Sequence, residues 1–400
     1  MRPPGVPPAG ARLAQLDELE LVVERLVAGG EGMGRFEGIP IFVPLSAPGD
    51  RLRVRLIERK PGYGRAEILA ILAPGPGRRE PPCPHFAECG GCDLQHLEDT
   101  VQLRHKGLAA LETLRRLSGV ALPPPSEVLA GAAWAYRLRA QVHTRALGSG
   151  VQVGYHARGS RRLVPVERCP VLVPELERAV TTLARRLEPP APPRIDLAAG
   201  DDGAIAAAPA SGGIEGRELH RRVAGFDYAF DARCFFQGHA GLIEALVERV
   251  VGPWEGETAY DLYGGVGLFA LPLARRYRRV TLVEGDRIAV RFARKNARLA
   301  HAGGVEVVGR AVESWVGGHL PDGAERVVAD PPRDGLSPVV RRLLVARAPA
   351  RLTYVSCHPA ALARDLKELA GVFEVESLVL ADLFPQTGHV EIVLQLTRRA

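Results

Sequence analysis

The sequence predicts an α/β chain that begins with a small β-barrel and ends in a doubly wound, mainly parallel sheet. Three observations carry this. After Phe235, helical patterns alternate with short apolar strands: LIEALVERVV, TAYDLYGGVG, LFALPLARRY, RVTLVEGD, RIAVRFARKNARLA, RVVADPP, VVRRLLVARA and RLTYVSCHP. Such alternation builds a parallel sheet covered by helices, with ligands at the carboxyl ends of its strands. Between Leu16 and Leu72 the texture is instead short β-rich runs divided by Gly or Pro turns. Between these regions lie a tight cluster of cysteines and a β-meander.

Length and composition are compatible with two or three globular domains: 400 residues, 46% apolar and 24% charged. The net charge of +6 permits a polyanionic partner without demanding one. Only Lys60, Lys106, Lys295 and Lys367 are lysines, and the arginine excess accompanies an Ala-, Gly- and Pro-rich composition, so it is discounted. No apolar run approaches membrane-spanning length, and the amino terminus lacks the apolar core of a secretion signal. We expect a cytoplasmic protein with no membrane partner. In that compartment six cysteines suit ligation, catalysis or core packing better than disulfides.

In chain order, residues 1–14 read as a disordered Pro/Gly-rich tail. Residues 15–73 hold LELVVERLV, PIFVPL, DRLRVRLIERK and RAEILAIL, with VAGGEGMGRFEG as a flexible turn rich in backbone amides. This spacing suggests a barrel of the oligonucleotide-binding type. Residues 74–92 and 126–232 read as a central α+β domain. It includes the meander YRLRAQVHTRA, GVQVGYHA and RRLVPVERC, and a peripheral hairpin over 188–213. Residues 93–125 contain a helix expected to pack on the last domain, 233–400.

Cys83, Cys89 and Cys92 form C-x5-C-x2-C, with Gly90 and Gly91 between the last two. Tetrahedral thiolate sites suit zinc or an iron–sulfur cluster, and Cys169, followed by Pro170, is the candidate fourth ligand. The C-x5-C spacing is unusual for zinc.

In TAYDLYGGVG, Asp261 sits at a strand end, and Gly264, Gly265 and Gly267 turn into an expected helix. Glycines allow close ligand approach, and a helix amino terminus favours polar or anionic groups. Glu284 ends the next strand, where an acid accepts hydrogen bonds from ribose hydroxyls. The pair fits NAD or S-adenosylmethionine. RVVADPPRDGL ends a further strand in Asp330-Pro-Pro-Arg, resembling the motif of methyltransferases acting on a nitrogen or carbon of a base.

Cys357 ends the following strand, on the same rim as Asp330, and Glu391 opens the last strand after a Gly-His turn. Carbon 5 of uracil is too weak a nucleophile to attack a sulfonium methyl. A thiolate added at C6 makes the ring an enolate that is nucleophilic at C5, and a base must then remove the C5 proton so that the thiolate leaves. Cys357 and Glu391 supply those parts. His358 either lowers the thiol pKa or takes a cap or surface role. Cys234 reads as core.

Taken together, VAGGEGMGR with IFVPLSAPGD, CPHFAECGGC with Cys169, FFQ at 235–237, DLYGGVG, DPPRDG, SCHP and FPQTGHVE resemble the RNA uracil-C5 methyltransferase family over nearly the whole chain. The resemblance implies a class I (Rossmann-like) methyltransferase domain, an N-terminal TRAM/OB-like barrel and a central iron–sulfur α+β domain. It implies a nucleophile at Cys357, a general base at Glu391, and S-adenosylmethionine contacts from Gln237, Tyr263, Glu284 and Asp330. It implies a [4Fe–4S] cluster on Cys83, Cys89, Cys92 and Cys169. The implied product is 5-methyluridine, with 23S rRNA favoured over tRNA by the cluster and barrel, and we expect a monomer. Arg35, Arg51, Arg53 and Arg55 would grip RNA phosphates.

The chain departs from the family pattern at Gly264, usually Cys, and at His358, Ala361 and His239, usually Asn, Thr and Asn. Two other readings compete: a methyltransferase acting on an amino nitrogen with Cys357 inert, and an RNA-binding homologue without activity.

Overall fold

The structure is a computed structural model and describes residues 13–148 and 150–400. The tail expected over 1–14 falls mostly outside them. Leu13, which is described, is buried in the barrel core. The chain forms two compact units. One takes residues up to Leu111 with Ala157–Ser160 and Pro385–His389; the other takes Glu112–His156, Arg161–Phe384 and Val390–Ala400.

In the first unit, β1 (Glu18–Leu26), β2 (Gly32–Phe36), β3 (Ile39–Val43), β4 (Arg51–Lys60) and β5 (Tyr63–Ala73) close a barrel in the order β1-β2-β3-β5-β4. Strict alternation puts Leu52, Val54 and Leu56 inside and Arg51, Arg53 and Arg55 outside. The segment read as a flexible turn divides. Gly29 and Gly30 turn with positive φ, but Gly32 starts β2. Gly34 belongs to that strand because a Cβ there would lie 2.4 Å from the carbonyl oxygen of Val22. Local composition hid a strand that tertiary pairing with β1 and β3 creates.

The second unit begins with β6 (Glu127–Leu129), β7 (Arg139–Leu147), β8 (Gly150–His156) and β9 (Leu163–Pro165). The last three join β10 (Arg194–Ala199) and β11 (Ile205–Ala208) in an antiparallel sheet ordered β11-β10-β7-β8-β9. The hairpin expected at 188–213 forms, but it is not peripheral: Ile195, Leu197, Ala206 and Ala207 are fully buried. Alanine is small enough to sit under the helix Pro174–Arg186. A two-stranded ribbon follows, β12 (Leu219–Val223) and β13 (Phe226–Phe230).

The large sheet comprises β14 (Gly256–Leu262), β15 (Tyr277–Glu284), β16 (Val305–Gly309), β17 (Arg326–Ala329), β18 (Arg351–Ser356), β19 (Phe373–Ala381) and β20 (Glu391–Arg398), with β6 at one edge. Its order is β16-β15-β14-β17-β18-β20-β19-β6. The strands from β16 to β18 are parallel, and β20 runs antiparallel to β18. That reversal brings the start of β20 to the rim where β14, β17 and β18 end. LFALPLARRY does not make the expected helix. Only Ala270–Leu273 is helical, because Pro272 lacks an amide donor and Tyr277 already belongs to β15. Among the described residues no helix is long and apolar enough to cross a membrane.

Candidate active site

The rim of the large sheet collects the predicted residues of the second unit. β14 carries Asp261 to full burial, where the Ala270 amide is the backbone donor that favours its ionised form. Burial, then the charge of Asp330, holds that carboxyl well above its ordinary range. Tyr263 follows with φ of 62°, a conformation uncommon for an aromatic residue, and donates to Glu313 Oε1 at 3.3 Å. Burial raises its phenol, and Glu313 adds to this. Gly264 packs so closely that a Cβ would lie 2.5 Å from Leu282 Cγ.

Glu284, at the end of β15, accepts from the Gly265 amide at 2.9 Å through Oε2 and from the Asp286 amide at 2.7 Å through Oε1. Asp286 in turn caps the helix Arg287–Leu299 through the amides of Ile288 and Ala289. The glycine turn therefore leans on Glu284. The expected helix dipole does not contribute, since Ala270–Leu273 is a single turn. Gln237 is buried, and its Oε1 has no donor. A buried acceptor such as Gln237 Oε1 costs stability unless a bound group supplies a donor. An ammonium or hydroxyl-bearing ligand fits that need.

Asp330 follows β17, Cys357 follows β18, and Glu391 opens β20. Register places Ser356 opposite Ile392, so Cys357 and Glu391 leave adjacent strands at one rim. Burial pushes the Asp330 carboxyl up to about 7. Glu391 is 4% exposed, and burial followed by the charge of Asp330 raises it well above the ordinary range, against the pull of Arg333. The charge of Asp330 beside Glu391 disfavours ionising both carboxyls together. The Cys357 thiol is pushed up to about 11, first by burial, then by Glu391; Arg333 pulls it down and Asp330 adds a smaller rise. Arg333 was missed in the sequence. It is exposed on the turn after Asp330, and its cationic character within Asp-Pro-Pro-Arg was the available signal.

Of the two roles open to His358, the structure shows the cap. Its Nδ1 accepts from the Ala361 amide at 3.1 Å, opening the helix Pro359–Leu369. His239 is fully buried, stacked on Tyr136 with ring centroids 4.7 Å apart and bonded through Nε2 to the Ala132 carbonyl at 3.1 Å. Cys234 is a core residue, 1% exposed, with its thiol pushed up to about 11 by burial.

In the first unit, Cys83, Cys89 and Cys92 lie on one turn-rich loop. There the Phe86 amide donates to the Cys83 carbonyl and the Gly91 amide to Cys89 Sγ, at 3.1 Å and 3.4 Å. Cys169 belongs to the second unit, where its amide donates to Glu177 Oε1 at 2.9 Å. Among the described residues no group of three or more His, Cys, Asp or Glu is arranged to hold a metal ion. On the barrel, Arg35, Arg51 and Arg55 pair with Glu24, Glu20 and Glu67 at 3.5, 3.1 and 3.2 Å. Such exposed pairs are worth little and exchange readily for other anions.

A model of the TRAM domain matches residues 16–69, and a model described as tRNA (Uracil-5-)-methyltransferase matches residues 322–399. The chain is 34% identical over 430 residues to the 23S rRNA (uracil(1939)-C(5))-methyltransferase RlmD of Chromohalobacter salexigens, covering 94% of this chain and 89% of that protein. It is 32% identical over 417 residues to the enzyme of the same name from Pectobacterium atrosepticum, covering 93% and 92%. In fold it is similar to the crystal structure of Pyrococcus abyssi tRNA (uracil-54, C5)-methyltransferase in complex with S-adenosyl-L-homocysteine. That match has a TM-score of 0.72 and 24% identity, and covers 95% of this chain and 100% of that one.

Proposed function

Because the chain belongs to the RNA uracil-C5 methyltransferase family, we propose that it forms 5-methyluridine in 23S rRNA through a covalent Cys357 intermediate, acting as a monomer. The observation that carries the mechanism is the convergence of a thiol and two carboxyls at one sheet rim.

S-Adenosylmethionine supplies an electrophilic methyl group. Asp261, Gln237, Glu284, Tyr263 and Asp330 are the residues we assign to holding it, and the donor-less Oε1 of Gln237 and the fully buried carboxyl of Asp261 support that choice. Cys357 loses its proton to solvent, with Arg333 favouring the thiolate. The thiolate adds to C6 of a flipped-out uridine and the C5–C6 electron pair moves into the enolate. C5 then takes the methyl group. Glu391, deprotonated, removes the C5 proton; the electrons restore the C5–C6 double bond and expel the Cys357 thiolate. The net change is methyl for hydrogen with one proton released. Turnover should rise with pH above neutrality, because both the thiol and Glu391 must be unprotonated.

The same reading gives Cys83, Cys89, Cys92 and Cys169 to a [4Fe–4S] cluster. Four thiolates are the right donor set, and the Gly91 amide aimed at Cys89 Sγ is the kind of contact that stabilises a ligating thiolate. With no closed metal-binding group among the described residues, the proposal concerns the donors alone. Protein purified without oxygen should carry iron, acid-labile sulfide and visible absorbance; a colourless protein with stoichiometric zinc would replace the cluster by zinc.

The test of substrate is methyl transfer to separately purified ribosomal and transfer RNA lacking 5-methyluridine, followed by nucleoside analysis. Label as 5-methyluridine in 23S rRNA is the expected result. Label confined to tRNA would keep the chemistry and overturn the substrate, an outcome the fold likeness to a tRNA enzyme makes worth measuring.

A further inference from the structure

We propose that Asp365 is a positioning residue for the methyl-transfer site, fixing the turn that carries Arg333 against the strand and helix that flank Cys357. This rests on the reading of Cys357 as the nucleophile. Asp365 lies on the helix Pro359–Leu369, which starts two residues after Cys357, and it is fully buried. A buried carboxylate persists only when its oxygens are well supplied with donors, and those of Asp365 come from the turn after Asp330, from β18, from the helix Pro338–Arg347 and from its own helix. Oδ2 accepts from the Leu336 amide and the Tyr354 hydroxyl, both at 2.7 Å. Oδ1 accepts from Arg341 Nη1 at 3.0 Å and Arg364 Nε at 2.9 Å. Tyr354 belongs to β18, the strand that delivers Cys357.

The same two arginines continue into the turn after Asp330. Arg364 Nη2 donates to the Asp334 carbonyl at 2.7 Å, and Arg341 Nη1 to the Leu336 carbonyl at 2.8 Å. The turn itself closes through the Gly335 amide on the Pro332 carbonyl at 2.8 Å, with Arg333 and Asp334 at its corner. Gly335 has φ of 74°, and a Cβ there would lie 2.5 Å from Asp365 Oδ2, so the turn is pressed onto the carboxylate. Arg333 sits at the corner of this turn as an exposed residue whose charge acts on Cys357 and Glu391.

Charges facing the thiol come from three elements: Glu391 on β20, Asp330 after β17, and Arg333 on the turn. On its own segment the neighbour is His358, whose Nδ1 is tied to the Ala361 amide. Arg333 is the cation among them, so loosening its turn should make the thiol harder to ionise. Removing the charge of Asp365 directly would do the opposite, since a lost anion favours a thiolate. The sign of the change therefore separates positioning from direct electrostatics.

The experiment is the pH dependence of iodoacetamide alkylation at Cys357 in the full-length protein, read on the tryptic peptide 352–364, where Cys357 is the only cysteine. Asp365→Asn should raise the midpoint and slow alkylation at fixed pH by roughly threefold. Arg364→Lys keeps the charge on a half-exposed side chain but loses the guanidinium fork, and it should shift the midpoint the same way. In an Arg333→Gln background, Asp365→Asn should produce no further rise. A midpoint that is unchanged or lowered in both single variants would overturn the proposal, as would an equal rise with Arg333 absent. Alkylation needs neither RNA nor methyl donor. Failure of wild-type protein to methylate RNA would therefore sink the proposed reaction without deciding this one.

Discussion

Cys357 and Glu391 emerge side by side from antiparallel neighbours: Ser356, just before the cysteine, pairs with Ile392, just after the glutamate. The thiol titrates at about 11, raised first by burial and next by that carboxyl. Glu391→Gln removes the opposing charge, so Cys357 should alkylate faster at pH 9 than in the wild type. Turnover should nevertheless stop, with a methylated protein–RNA adduct accumulating because the C5 proton is not removed. Faster alkylation together with normal turnover would refute the role given to Glu391.

Asp330 sets a second test. Its carboxyl is held up to about 7 in the folded protein, against an ordinary value of 3.8. The folded state thus keeps a proton that the unfolded chain has lost, and as pH rises from about 4 to about 7 this site becomes progressively destabilising. Asp330→Asn should melt at the same temperature as wild type near pH 4 and higher by roughly a few degrees at pH 7.5. Methyl transfer should be lost. Equal melting temperatures at both pH values would contradict an Asp330 carboxyl whose ionisation burial disfavours.

Gly264 occupies a position where the family usually has cysteine, and here Leu282 fills the space a Cβ would need, 2.5 Å away. Gly264→Ala should cost about 1–3 kcal/mol by overpacking. Adding Leu282→Ala, which removes the clashing Cγ, should cost less than the sum of the two single losses, measured as denaturation midpoints of the single and double variants. Additive losses would show that the two positions do not share one space.

His358 and Ala361 also depart from the family pattern, and they do so as a pair: the imidazole caps the amide of Ala361. His358→Ala should cost about 0.5–2 kcal/mol, while His358→Asn, which keeps a capping acceptor, should cost much less. Neither should move the alkylation midpoint of Cys357, whose thiol is shifted by burial and then by Glu391, Arg333 and Asp330. A higher midpoint in His358→Asn would restore the idea that the ring lowers the thiol pKa.

Much of this was legible from residue order. Parallel strands ending in Glu284, Asp330 and Cys357 follow from strand–helix alternation, since each carboxyl end must face one rim. The antiparallel return of β20, which brings Glu391 to that rim, has no local signal and was supplied by the family motif. Strand β2 was hidden because glycine has low strand propensity; only its packing against β1 and β3 makes it a strand. The helix after the glycine turn was overcalled because periodicity ran across Pro272. Arg333 and Asp365 were missed because their importance lies in contacts across β17, β18 and the following helix, which spacing along the chain does not encode.

The most direct test of covalent catalysis uses RNA containing 5-fluorouridine at the target position. Fluorine at C5 leaves no proton for Glu391, so addition and methyl transfer should halt before thiolate release. Incubation with S-adenosylmethionine, followed by trypsin and mass spectrometry, should find the methylated fluoronucleotide on peptide 352–364, and Cys357→Ala should give neither adduct nor methylated RNA. Methyl transfer that persists in Cys357→Ala, or an adduct on any other cysteine, would contradict Cys357 as the nucleophile.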